Sequence, residues 1–141
     1  MIRAMLLTAA LMFPVGAQAL DLDKTFVGED GKTPVPDDLD PRATLKCGEV
    51  LGHPCLTLRG AIFHALVRPY GDEPNVTGDD KYWRGDLADK VQKAKRELIL
   101  SPKEVIAAKL VIGKLYTPLI VHQAYQMLDP SLAPAPEPAA K

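Results

Sequence analysis

A dominant charge is the first thing this chain lacks: 17 Lys and Arg stand against 18 Asp and Glu, interspersed along 141 residues, for a formal net charge of −1. Without a basic stripe there is no electrostatic footprint for nucleic acid or for an anionic membrane surface. A membrane-spanning stretch is missing too, since the longest apolar run, at the N-terminus, falls short of the ~20 residues a span needs. Catalytic fingerprints are absent: no G-x-S-x-G, no P-loop, no dinucleotide motif and no HE-x-x-H pair. Histidine is sparse, and His53, His64 and His122 have no acid or hydroxyl nearby in sequence that would make a local dyad, so each reads as a structural residue. No metal or cofactor is expected. What is present, 47% hydrophobic and 25% charged residues, is the composition of one ordinary globular domain.

The N-terminus has its own character. Arg3 supplies a short positive region, residues 4–15 are almost wholly apolar, and Ala17-Gln18-Ala19 gives a small-x-small pattern, which together describe a secretory signal peptide over residues 1–19. Against an uncleaved anchor stand the short run and its Pro14 and Gly16. A mature chain starting at Leu20, periplasmic or secreted and without stable membrane insertion, is the expectation.

Residues 20–56 read as a loop-rich region with one or two short β-hairpins. Asp30-Gly31 suits a type I′ turn between 24–29 and 32–35, and 43–51 is expected to pair with 56–58 around Gly52-His53-Pro54. Residues 57–130 read as a helical domain, so the fold class is mainly α with about four helices. Thr57 caps the first, which runs to about Arg68 before Pro69. Thr77 with Asp80 opens the second, whose stripe is Trp83, Leu87, Val91, Ala94 and Leu98. Ser101, Pro102 and Glu104 form a capping box with proline at the first helical position. The helix they open is apolar almost all round, from Val105 and Ile106 through Leu110 and Ile112 to Leu115, and is expected to be central, with Gly113 admitting a close neighbour. Thr117-Pro118 starts a fourth helix that Asp129-Pro130 stops. Residues 131–141, rich in Pro and Ala, read as a disordered tail.

Among residues that could carry chemistry, Cys47 and Cys55 are the only cysteines, and in an exported protein a disulfide is expected between them. The competing reading is a zinc site from Cys47, His53, Cys55 and His64, whose spacing matches no standard pattern. Glu73 to Arg84 resembles a calcium loop with Gly78 sixth, but Arg84 stands where a bidentate glutamate belongs. Asn75-Val76-Thr77 matches a glycosylation acceptor. Lys109 lies on the apolar face of its helix, where a buried lysine acts as base or nucleophile or, more ordinarily, snorkels to solvent.

The segments Leu56-Thr57-Leu58, Thr77-Gly78-Asp79-Asp80-Lys81, Arg84-Gly85, Leu100-Ser101 and Ile112-Gly113-Lys114-x-Tyr116-x-Pro118 resemble a group of short, mostly uncharacterised helical proteins encoded by phages and prophages, over roughly Leu56 to Asp129. The resemblance implies a helical fold and brings no activity with it. The leader, the cysteine pair and the long N-terminal loops depart from the group's pattern. Three functions follow as expectations. The first is a small exported, non-catalytic module that binds another protein, with Trp83, Leu87 and Val91 as the candidate interaction surface, the alternative being that in a folded monomer this stripe faces the central helix and Leu87 and Val91 are core. The second is a phage-derived structural or assembly factor. The third is a small enzyme with a site near Lys109 and His122.

Overall fold

The computed structural model describes residues 18–132. Nearly all of the expected signal peptide, and the tail beyond Leu132, lie outside the described residues. Four helices and two small antiparallel sheets make up the rest: β1 (Ala19–Asp21), β2 (Lys46–Cys47), β3 (Val50–Leu51), α1 (Leu58–Val67), α2 (Gly78–Lys93), β4 (Glu97–Ile99), α3 (Pro102–Leu115) and α4 (Pro118–Leu128). This is the mainly α architecture with short hairpins that the sequence predicts. No helix among the described residues is long and apolar enough to cross a membrane.

The helix starts are local chemistry. Thr57 accepts a hydrogen bond from the Gly60 N–H at the head of α1. Thr77 with Asp80, and Ser101 with Glu104, form complete capping boxes on α2 and α3. Thr117 occupies the N-cap position of α4, ahead of Pro118 in the first turn, but makes no side-chain cap bond.

Packing reverses the expected hierarchy. The hub is α1, with Leu58, Ala61, Ile62, Ala65 and Leu66 all buried; α2 packs on one side of it, α3 on another, and α4 touches it as well. The apolar circumference of α3 is only partly covered: Ala108, Val111 and Ile112 are buried, whereas Ile106 is 68% and Leu110 55% exposed. Gly113 does admit a neighbour. A Cβ there would sit 2.9 Å from the Tyr125 hydroxyl, which donates to the Lys109 carbonyl at 2.8 Å and joins α4 to α3.

The end of α2 is also corrected. The helix stops at Lys93, so Leu98 leaves the expected stripe and instead sits in β4, which pairs with β1 in the register Leu20↔Leu98. Arg59 explains the stop. Its guanidinium donates to the Val91 and Ala94 carbonyls, both at 2.7 Å, and to the Lys95 carbonyl, covering acceptors that the helix end leaves open.

In the loop-rich region, Val27 bridges Pro34 around Asp30-Gly31 as expected. The turn is not type I′, because only Gly31 takes a positive φ; the Asp30 carboxylate accepts the Lys32 and Thr33 N–H groups instead. The second hairpin is β2 with β3, turned at Gly48 with φ 56°, so 43–51 folds on itself. Leu56 pairs elsewhere, its N–H donating to the Val35 carbonyl and its carbonyl accepting from Phe26. Leu20, Leu22, Phe26 and Leu56 thereby enter the same core as the helices. Gln123 on α4 grips this region, its side-chain amide bonding both the N–H and the carbonyl of Val27.

Candidate functional site

Two adjoining clefts of about 510 and 600 Å³ share Leu66, Val76 and Arg84 and form one groove. It runs over the C-terminal end of α1, between the N-terminal half of α2 and the outer face of α3. Leu66 and Val111 are buried beneath it, while Val76, Trp83, Ala107 and Leu110 supply apolar walls. Ile106, one turn before Leu110, extends the exposed apolar face beyond the rim.

The groove keeps its shape because the loop after α1 is clamped. Arg84 on α2 donates through both terminal nitrogens to the two Glu73 oxygens, each at 2.8 Å, and Lys114 on α3 reaches Glu73 at 2.5 Å. Those bonds, Arg84 first and Lys114 second, hold the Glu73 carboxyl down at about 2. Lys114 also lies 5.4 Å over the Tyr70 ring, and the Tyr70 hydroxyl donates to the Ala65 carbonyl at 2.7 Å. Glu73 and Arg84 are the first and twelfth positions of the calcium-like window, so here the two ends of that window neutralise each other.

On another side of α1, around its N-terminal half, lies a cleft of about 400 Å³ whose lining includes Asp37, Arg42, Arg59, Gly60 and His64. Asp37 is a buried charged residue, 4% exposed. His64 Nε2 donates to Asp37 Oδ2 at 3.1 Å, the Leu39 N–H donates to Oδ1 at 3.1 Å, and His53 Nδ1 donates to the Asp37 carbonyl at 3.0 Å. Gly60 makes room for this: a Cβ there would stand 3.0 Å from Asp37 Oδ2. Nearby, the Tyr116 hydroxyl is buried without a hydrogen-bond partner. Burial first and the Asp37 charge second push its ionisation far above the ordinary phenol range.

The expected site residues fare differently. Cys47 and Cys55 are joined, with their Cα atoms 4.7 Å apart, so both sulfurs are committed and the alternative zinc site loses its thiolates. Among the described residues no group of three or more His, Cys, Asp or Glu is arranged to hold a metal ion. Leu87 and Val91 belong to the core, at 2% and 0% exposure, as the packing alternative for their stripe expects, so they are not interaction surface; α2 packs on α1 rather than on α3, the helix expected to be central. Trp83 alone of that trio reaches a surface groove, where Lys103 lies 5.0 Å from its ring. Lys109 pairs with Asp129 at 3.1 Å across α3 and α4, and neither it nor His122 lines the clefts described above.

Sequence reasoning missed the Asp37–His64 pair, the Arg59 clamp and the Glu73–Arg84–Lys114 cluster. His64 stands 27 positions from Asp37, Arg59 at least 32 from the carbonyls it reaches, and Lys114 41 from Glu73; Arg84 is only 11 from Glu73, a spacing that is no helical repeat. Comparison with family models, curated proteins and solved structures finds no match.

Proposed function

We propose that this chain is a small exported, non-catalytic helical module that binds another protein through the groove between α1, α2 and α3. The observation that carries the reading is the exposed apolar face of α3, Ile106 and Leu110, beside a preformed concave groove walled by Trp83. Exposed apolar surface next to a concave wall with a half-buried aromatic is the usual anatomy of a binding surface. The joined cysteines and the leader-like first nineteen residues support export.

The likeness to phage-encoded proteins supports the second reading, a structural or assembly factor. Thr77, Asp80, Ser101 and Pro118 all belong to that likeness, and all serve as helix starts or caps here. Folding requirements account for those matches, so they favour this second role less than the groove favours binding.

A photo-crosslinking residue placed at Leu110 in the full chain, with one at exposed Lys46 as control, tests the reading in the native host. We expect mapped crosslinks to a single partner from Leu110 that Trp83→Ala removes, and none from Lys46. Equal labelling from the two positions would overturn it. Intact mass of the native product tests export separately, with a start at Leu20 expected and a full-length cytoplasmic chain counting against it.

A further inference from the structure

Among glycines in helix interiors, setting aside Gly78 at the first position of α2, one stands apart. Gly60 gives access to Asp37, and Gly113 gives access to the Tyr125 hydroxyl, so both have packing reasons. Gly85 has none: it sits in the middle of α2, and a Cβ built on it would meet nothing within 4 Å. Glycine inside a helix is the least favourable residue short of proline, and local rules broken without a folding reason concentrate at functional sites. The space that Gly85 leaves open is the cleft floored by Leu66 and Tyr70.

The charges around that opening are not balanced. Of the charged residues lining it, Glu73 and Arg84 neutralise each other, which leaves Arg68 and Lys81. Neither makes an ion pair among the described residues, although Asp72, Glu73, Arg84 and Lys114 nearby are all paired. At the other end of the groove Asp79 and Asp80 are accompanied by Lys103, so that end carries both signs. The positive charge left without a partner in the fold therefore lies on the Gly85 side of the groove.

We infer that the groove takes an acidic, apolar segment of a partner protein, with an apolar side chain over Gly85 against Leu66 and Val76 and a carboxylate between Arg68 and Lys81. This rests on the binding role proposed above and names the chemistry of the partner. A carboxylate there meets two cations that the fold leaves without a counter-charge.

The test uses the full chain and two labelled peptides, one alternating Leu and Glu and its twin alternating Leu and Lys. The single tryptophan, Trp83, gives an independent emission readout inside the groove. The acidic peptide should bind and the basic twin should bind at least about tenfold more weakly, the scale on which a like-charge contact discriminates partners. Arg68→Glu with Lys81→Glu should invert that order, and salt should weaken the acidic complex. Gly85→Leu should abolish binding while leaving the melting temperature unchanged or higher, because leucine favours the helix and fills only open space. If the two peptides bind alike and Gly85→Leu removes both, the acidic preference is wrong and the groove stands. If Gly85→Leu leaves peptide binding intact, the groove reading fails as well. No binding of the acidic peptide, or capture of phosphatidylglycerol vesicles that the double charge reversal abolishes, overturns the inference.

Discussion

The clefts on the two sides of α1 both hold engaged charged groups and differ in whether any are left over. Around Asp37, the carboxylate, His53, His64, Arg42 and Arg59 all have partners within the fold, the nearby Tyr116 hydroxyl being the exception. Around Gly85, Arg68 and Lys81 make no ion pair among the described residues, and a Cβ on Gly85 would meet nothing within 4 Å. A satisfied cleft is a latch that fastens the disulfide loop to the helices. An unsatisfied one is where a partner adds something the fold does not supply.

Both clefts lie over one hydrophobic core, and the largest losses are expected there. Leu87→Ala should cost ~2 to 5 kcal/mol in a denaturant titration, because its side chain is fully packed, whereas Lys81→Ala on the groove rim should stay within about 0.5 kcal/mol. Similar losses at both positions would mean that the groove rim is structural. Asp37→Ala should cost about 3 kcal/mol, since it strands the Leu39 N–H and the His64 donor in a buried setting. A cost below 1 kcal/mol would remove the latch from the account. Replacing both cysteines by serine should cost roughly 2.6 kcal/mol, the chain-entropy value for closing a loop of about nine residues.

Acid should act on the groove side through Glu73. Its carboxyl is held at about 2 in the folded chain against an ordinary 4.5, so its ion pairs contribute fully above pH 4.5 and are lost as pH falls toward 2. Glu73→Gln should flatten that part of the stability profile, and an unchanged profile would show that the clamp is not formed in solution. The smallest effects carry opposite signs. Gly85→Ala should stabilise by about 1 kcal/mol, while Gly60→Ala should destabilise by about 1 kcal/mol, because the new Cβ displaces an Asp37 oxygen that His64 holds in place. If both alanines stabilise, the two glycines are equivalent and the contrast between the clefts disappears.

Much of the helical half was legible beforehand because its signals are short-range. A cap needs only a hydroxyl or carboxylate within three residues of the N–H it meets, so Thr57, Thr77 with Asp80, and Ser101 with Glu104 marked three helix starts. The strand partners were not legible for the opposite reason. Leu20 meets Leu98, and Leu56 meets Val35, across intervals that no periodicity spans. Within the groove, Trp83 was found from its stripe, but Gly85, Arg68 and Lys81 were not, since a bare helix surface and an unpaired charge exist only relative to what failed to pack there.

By itself the sequence determined where the helices begin, where proline ends or opens them, and that two cysteines eight positions apart would close a loop. Tertiary structure alone decided that α1 rather than α3 is the hub. A helix apolar all round states how much surface it offers for burial, but which part is buried depends on how many neighbours the remaining chain can bring to it. Here α1 and α4 cover part of α3, and Ile106 and Leu110 remain in solvent.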